Sequence, residues 1–124
     1  MEWKLGQEAW EDAELLMTGQ RWRAAIARYY FAAFHSARAA VLTRGLEPRS
    51  HAGVKSSFSQ QFVHSGQLEA AASRVLSRLE TERADADYSR ESIFGPADAQ
   101  AARDMTSALR EPLAVLLRSE GWLD

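Results

Sequence analysis

An arginine and a histidine, Arg28 and His35, lie seven residues apart in a stretch that is otherwise aromatic or small. Because an α-helix turns by about 100° per residue, seven residues complete nearly two turns, and the two side chains share one helix face. An imidazole titrates at about pH 6.5 and can transfer protons, whereas a guanidinium donates paired hydrogen bonds to phosphate. The pair therefore suggests RNA cleavage, and a salt-bridged surface is the competing interpretation.

The size and composition of the chain indicate one globular domain over residues 1–124. Hydrophobic residues make up 46% of the chain, which is enough for a core, and there is no cysteine for a disulfide or a thiolate metal site. No segment approaches the roughly 20 apolar residues that span a bilayer, and the first residues do not resemble a signal peptide. We therefore expect a cytoplasmic protein that does not contact a membrane.

Positive charge is concentrated in one part of a chain whose net charge is −2. Residues 20–65 contain all three histidines and a single acidic residue, Glu47. The basic residues of this segment are Arg21, Arg23, Arg28, Arg38, Arg44, Arg49 and Lys55. A nearly neutral protein can thus present one basic face to a phosphate-bearing ligand.

Helix-forming residues and apolar periodicity predict five helices, at about 3–18, 21–43, 51–64, 68–86 and 96–119. Gly45 suits the end of the second helix and Ser50 suits the N-cap of the third. Pro96 fits the first turn of the fifth helix, which we expect to be kinked or broken near Pro112. The fold class predicted is an all-α, up-and-down bundle of four to five helices.

The second helix carries two unlike faces. One face is core-like and contains Trp22, Ile26, Tyr29, Tyr30, Ala33, Ala37 and Val41. The other mixes apolar and cationic residues, namely Ala24, Arg28, Phe31, His35, Arg38 and Leu42. A phenylalanine beside cations indicates an interface or a ligand site. The alternative is that this helix is central and buried on both sides.

Four segments, 27–39, 44–54, 58–63 and 83–88, occur in an order and with helix lengths that resemble the HEPN family (higher eukaryotes and prokaryotes nucleotide-binding domains). The likeness is greatest to the small stand-alone bacterial and archaeal members. It implies an all-α bundle that usually forms a two-fold homodimer.

The resemblance also implies an activity and a partner. Many members are metal-independent endoribonucleases with an Arg-x4–6-His motif, which Arg28 and His35 match at its upper limit. Many are toxins neutralised by a small nucleotidyltransferase antitoxin, and RNA is the ligand. Other members are non-catalytic subunits that bind nucleotides or proteins and work with a nucleotidyltransferase, which is the alternative function. No cofactor is implied.

One position departs from the family pattern. Well-studied toxin members have a tyrosine two residues after the histidine, which the partner modifies with AMP, whereas this chain has Ala37 there. Control through that position is therefore not expected.

Under the nuclease interpretation, each candidate residue has a role. Arg28 binds phosphate and His35 is the general acid or base across a dimer cleft. Phe31 lines the cleft or stacks on a base. We expect Arg38, Arg49 and His51 to bind substrate, with Asp87 and Tyr88 in support. These candidates are Arg28, Phe31, His35, Arg38, Arg49, His51, Asp87 and Tyr88. In the structural alternative, His35 only hydrogen-bonds a carboxylate such as Asp85 or Asp87.

The three histidines also raise the question of a metal. His35, His51 and His64 are separated by 16 and 13 residues, which matches no compact ligand pattern, and no cysteine supports them. No metal site is therefore predicted.

Overall fold

Five helices make up the part of the chain that the computed structural model describes, which is residues 2–88 and 94–124 without the side chains of 85–88. They are α1 (Glu2–Thr18), α2 (Trp22–Leu42), α3 (His51–Phe58), α4 (Ala71–Tyr88) and α5 (Pro96–Ser119), and a π-helical turn, Ser59–Val63, continues α3. These residues contain no strand. The predicted all-α bundle is confirmed.

The second helix, α2, is the centre of the bundle and packs against α1, α3, α4 and α5. The core-like face predicted for it is buried except for Trp22, which packs against the core with partial exposure. Its many alanines let neighbouring helices approach closely. The other face is only partly covered, because Arg28, Phe31, His35 and Arg38 keep intermediate exposure. The interpretation of α2 as central is thus correct, yet one stripe of it remains accessible.

The connection between α2 and α3 follows its predicted signals. Gly45, with φ of 77°, adopts the left-handed conformation that glycine tolerates just after α2. The Ser50 side chain accepts a hydrogen bond of 2.9 Å from the Gly53 backbone N–H and so caps α3. His51 is therefore fixed as the first residue of α3.

The prediction of one regular helix over 51–64 was wrong in its second half. The His64 N–H bonds to the Ser59 carbonyl at 2.8 Å, which is the five-residue spacing of a π-helix. This turn keeps Phe58 and Phe62 fully buried with their rings stacked 5.5 Å apart. Leu68 then donates its N–H to the Phe62 carbonyl, so α4 starts at Ala71 rather than at 68.

The last helix was expected to be kinked or broken near Pro112, and it is not broken there, because α5 continues through Pro112. A proline removes one N–H that would have bonded the carbonyl four residues earlier, on Ala108. Both Pro112 and Ala108 are exposed, so water can solvate that carbonyl. None of the described helices is both long and apolar enough to span a membrane.

Candidate active site

Phe31 connects the arginine and the histidine of the second helix. The Arg28 guanidinium carbon lies 5.5 Å from the centre of the Phe31 ring. The Phe31 and His35 rings stack with their centres 6.3 Å apart. Because these residues follow one another at helical spacing, they form a continuous stripe on α2. The shared face predicted for Arg28 and His35 is present, and their chemical roles remain predictions.

The first turn of α1 fixes His35. Glu2 Oε2 accepts a hydrogen bond of 2.9 Å from His35 Nδ1, and Glu2 Oε1 accepts one of 2.6 Å from an Arg38 terminal nitrogen. Arg38 Nε also donates to the Pro48 carbonyl at 3.2 Å. The Glu2 side chain is only 16% exposed, so its two bonds are shielded from water. This carboxylate orients the imidazole and links α1 to the loop before α3.

Sequence reasoning named Asp85 or Asp87 as the carboxylate that His35 would bind, whereas the structure shows Glu2 in that position. The side chains of Asp85, Asp87 and Tyr88 lie outside the described residues. The supporting roles expected for Asp87 and Tyr88 therefore stay predictions.

The bond to Glu2 determines which nitrogen of His35 can do chemistry. An ionised carboxylate only accepts hydrogen bonds, so Nδ1 must carry the proton. In the neutral ring, Nε2 then holds the lone pair, and no described residue bonds to it. A histidine oriented in this way through its other nitrogen is suited to take a proton from a substrate.

Arg28 is held loosely. One of its terminal nitrogens is 3.5 Å from Asp12 Oδ2, and the two side chains are 41% and 56% exposed. Such exposed pairs contribute little to stability. Arg28 Nε is buried without a hydrogen-bond partner among the described residues. The side chain as a whole is 41% exposed, so its terminal nitrogens are accessible to an anion.

A second arginine, Arg83 of α4, was missed from the sequence. Its guanidinium carbon lies 5.2 Å from the Phe31 ring centre and 5.7 Å from that of Tyr30. Phe31 thus contacts two guanidiniums that come from different helices. Arg83 belongs to the segment 83–88 that carries the family resemblance, but the roles predicted for that segment were given to other residues, Asp87 and Tyr88. We call Arg28, Phe31, His35 and Arg83 the Phe31 cluster.

His51 joins the same region from α3. Its Nδ1 shares a hydrogen bond with the Tyr30 hydroxyl, and its ring stacks on Phe34 with centres 4.3 Å apart. The Phe34 ring also meets His35 edge-on at 5.4 Å. His51 and His35 thus contact the same ring, Phe34, and substrate binding by His51 remains a prediction. Arg49 differs, because its exposed side chain makes no hydrogen bond or ion pair with any described residue.

The two tyrosines of α2 are core residues, as expected. Tyr29 donates a hydrogen bond of 2.7 Å to Glu14. Burial and the Glu80 carboxylate raise the pKa of Tyr30 to about 12. Both hydroxyls therefore stay protonated at neutral pH. Ala37, two residues after His35, is fully buried.

Metal ligands are not grouped in the described residues, where no three His, Asp or Glu side chains are placed to hold one ion. What the Phe31 cluster offers is cationic donors, an aromatic face and an oriented imidazole. These groups suit a phosphodiester next to a base.

Comparison with known proteins identifies the family to which the chain belongs. A model of the HEPN domain matches residues 3–116. A protein of Methanocaldococcus jannaschii named "Putative toxin" is 38% identical over 85 residues, covering 68% of this chain and 63% of the relative. UPF0332 proteins of Pyrococcus horikoshii and Thermotoga maritima are 34% and 32% identical over 64% and 66% of this chain. The matches cover 56% and 62% of those relatives, so this chain spans less than two thirds of each relative's length.

Proposed function

Since the chain belongs to the HEPN family, we propose that it is a metal-independent endoribonuclease and the toxin component of a toxin–antitoxin pair. The observation that carries the proposal is the arrangement around Phe31. One ring contacts Arg28, Arg83 and His35, and Glu2 holds His35 with its Nε2 available. The names of two relatives from Methanocaldococcus jannaschii include the word toxin, which supports the biological role.

The chemistry uses the 2′-hydroxyl of RNA as the nucleophile. His35 Nε2 accepts the 2′-hydroxyl proton while the oxygen attacks the adjacent phosphorus. Arg28 donates hydrogen bonds to the phosphoryl oxygens, where negative charge increases in the transition state. Phe31 presents a ring on which a base stacks. This reaction leaves a 2′,3′-cyclic phosphate and needs no metal ion.

A homodimer would extend the binding surface. The accessible stripe of α2 lies within the basic segment 20–65, which has seven cationic residues and one acidic residue. Two such stripes placed side by side across a two-fold axis would form one positively charged cleft for RNA.

Control by an antitoxin follows a different route from tyrosine modification on α2. Ala37 has no hydroxyl, and Tyr29 and Tyr30 are buried with their hydroxyls hydrogen-bonded. A nucleotidyltransferase antitoxin would therefore act by covering the α2 stripe rather than by transferring AMP to it.

A non-catalytic subunit that binds nucleotide or protein is the second candidate, and one observation favours it. Glu2 neutralises part of the positive charge of Arg38 and His35, and Asp12 reaches Arg28. A face lined by such acidic partners attracts RNA less strongly than an unpaired basic face.

The test is cleavage of RNA by the purified protein in EDTA. We expect the wild type to produce 2′,3′-cyclic phosphate ends and His35→Ala to lose this cleavage. His64→Ala is the matched control, because His64 is exposed at the end of the π-helical turn. Residual cleavage by His35→Ala would report a contaminating ribonuclease, which would persist in all three preparations. A folded wild type that cleaves no RNA would move the assignment to the binding subunit.

A further inference from the structure

We propose that His51 is a second catalytic residue, the general acid that protonates the leaving 5′-oxygen within the same protomer as His35. The inference rests on the proposed ribonuclease function. It assigns the second proton transfer to a residue outside the Arg28–His35 motif, so a partner protomer need not supply the acid.

The first observation is that the two imidazoles share a neighbour. Phe34 stacks on His51 with ring centres 4.3 Å apart and meets the edge of His35 at 5.4 Å. Phe34 is 8% exposed, so core packing fixes the ring that both imidazoles contact. Each imidazole is partly exposed. The two rings thus approach one stretch of surface from α2 and α3.

The second observation is that each histidine is held through Nδ1 by a different kind of partner. Glu2 accepts from His35, whereas the partner of His51 is the hydroxyl of Tyr30, which can donate. No other described residue hydrogen-bonds either ring. Both Nε2 atoms therefore remain for substrate.

These partners leave the two Nε2 atoms with different roles. The carboxylate of Glu2 accepts from Nδ1 of neutral His35 and leaves Nε2 as a proton acceptor. Tyr30 retains its proton, because burial raises its pKa to about 12, and its neutral oxygen can accept from Nδ1–H of cationic His51. In that cation Nε2 carries the second proton, and only the cation is a useful acid, since a neutral imidazole that lost its proton would become an imidazolate. Cationic His51 is thus the proton donor and neutral His35 the proton acceptor.

The resulting step is balanced. His35 Nε2 removes the 2′-hydroxyl proton, the 2′-oxygen forms a bond to phosphorus, and the bond from phosphorus to the 5′-oxygen breaks. His51 Nε2 gives its proton to that departing oxygen. The products are a 2′,3′-cyclic phosphate and a 5′-hydroxyl, with one proton gained by His35 and one lost by His51. Water restores both states afterwards.

Packing alone could also explain His51, so the test must separate an acid from a structural residue. We would compare two RNA substrates that differ only at the leaving atom, which is oxygen in one and sulfur in the other. A thiol has a pKa of about 8.5, so a thiolate leaves without being protonated. Only the oxygen substrate requires a general acid.

The expected pattern is specific to the acid role. His51→Ala should slow cleavage of the oxygen substrate by about 10²- to 10⁴-fold and leave the sulfur substrate near the wild-type rate. His35→Ala should slow both substrates, because the base is needed in each case. His64→Ala should change neither. The sulfur substrate also reports folding, since a misfolded variant would lose both activities.

Two results would overturn the inference. Equal losses by His51→Ala on both substrates, repeated with His51→Gln, would show that His51 only supports the structure. Unchanged cleavage of the oxygen substrate would show that His51 is not used, while the ribonuclease function stands. If the wild type cleaved neither substrate, the proposed ribonuclease function would be wrong, and this inference would be wrong with it.

Discussion

Arg28 and Arg110 have contrasting surroundings, although the side chains of both contact residues of α1. Arg110 is 9% exposed, donates to Ser36 Oγ at 2.8 Å and to Gln7 Oε1 at 2.9 Å, and lies over the rings of Trp3 and Trp10. We call these five residues the Arg110 network. Arg28 is 41% exposed and has one long contact with Asp12.

The contrast separates a structural cation, Arg110, from the cation that we propose binds phosphate, Arg28. Burial lowers the pKa of Arg110, and the Glu11 carboxylate acts in the opposite direction. The N–H groups of Arg110 nevertheless donate hydrogen bonds to protein acceptors, and aromatic rings cover its guanidinium. The Arg28 side chain instead is 41% exposed, and its terminal nitrogen makes only a 3.5 Å pair with Asp12. A burial penalty by itself therefore does not mark a binding site, and the proposed phosphate contact rests on exposed donors beside an oriented imidazole.

Among the changes that test this comparison, Arg28→Ala should show the largest effect. We expect RNA cleavage to fall by about 10³-fold, because a phosphate donor is lost where charge increases in the transition state. Stability should change by less than about 0.5 kcal/mol, since the pair with Asp12 is exposed. Cleavage rates and urea unfolding measure the two effects. Arg74→Ala, an exposed change on α4, is the control. If Arg28→Ala and Arg74→Ala reduced cleavage equally, the proposed difference in function between Arg28 and Arg110 would be wrong.

Glu2→Gln should follow, with cleavage reduced by about 10²-fold. An amide can donate to His35 Nδ1 as well as accept from it, so the tautomer is no longer fixed. Single-turnover cleavage measures the loss. Glu8→Gln, an exposed change on the same helix, should leave the rate unchanged. A full rate for Glu2→Gln would mean that the orientation of His35 does not depend on this carboxylate.

Arg110→Ala should have the reverse profile of Arg28→Ala. We expect a loss of about 2–3 kcal/mol of unfolding free energy, because a buried side chain and its contacts with two indole rings disappear. Cleavage per folded molecule should stay close to wild type. Urea unfolding and cleavage at a temperature where the variant is folded test the two parts. A tenfold fall in cleavage by the folded variant would place Arg110 in the functional site.

The smallest effect should come from Glu14, on the structural side of the comparison. Burial raises its pKa, but hydrogen bonds from Arg103 and Tyr29 outweigh burial and lower it. A carboxyl whose folded pKa is depressed stabilises the protein above its unfolded pKa of 4.5 and loses this contribution as pH falls through the folded value. Unfolding measured between about pH 6 and about pH 3 should therefore show a shallower decline for Glu14→Gln than for wild type. Parallel declines would contradict this role.

Local sequence signals predicted most of the fold. Five helices were expected and five are present in the described residues, and the Ser50 cap and the Gly45 turn are where local chemistry put them. The errors concern packing. Whether Pro112 breaks α5 depends on solvent reaching Ala108, and the π-helical turn depends on burying Phe58 and Phe62 together. Neither condition is visible in a single stretch of sequence.

The candidate site shows the same difference between relations within one helix and contacts between helices. The relation between Arg28, Phe31 and His35 lies within one helix, and periodicity was sufficient to find it. Glu2 is 33 positions from His35, and Arg83 reaches Phe31 from another helix. Such partners depend on how α1 and α4 pack on α2; a carboxylate was expected beside His35, but the spacing within one helix could not indicate that Glu2 supplies one.

The indole rings beside Arg110 have a practical consequence for spectroscopy. Trp3 and Trp10 belong to α1, the helix whose first residue, Glu2, holds His35. Their fluorescence therefore reports whether α1 is docked on the bundle. With Trp22 and the exposed Trp122 replaced by phenylalanine, emission from the remaining two indoles would follow the docking of α1 during folding. The chain thus carries an intrinsic optical probe of the contact that places Glu2 beside His35, with no dye attached.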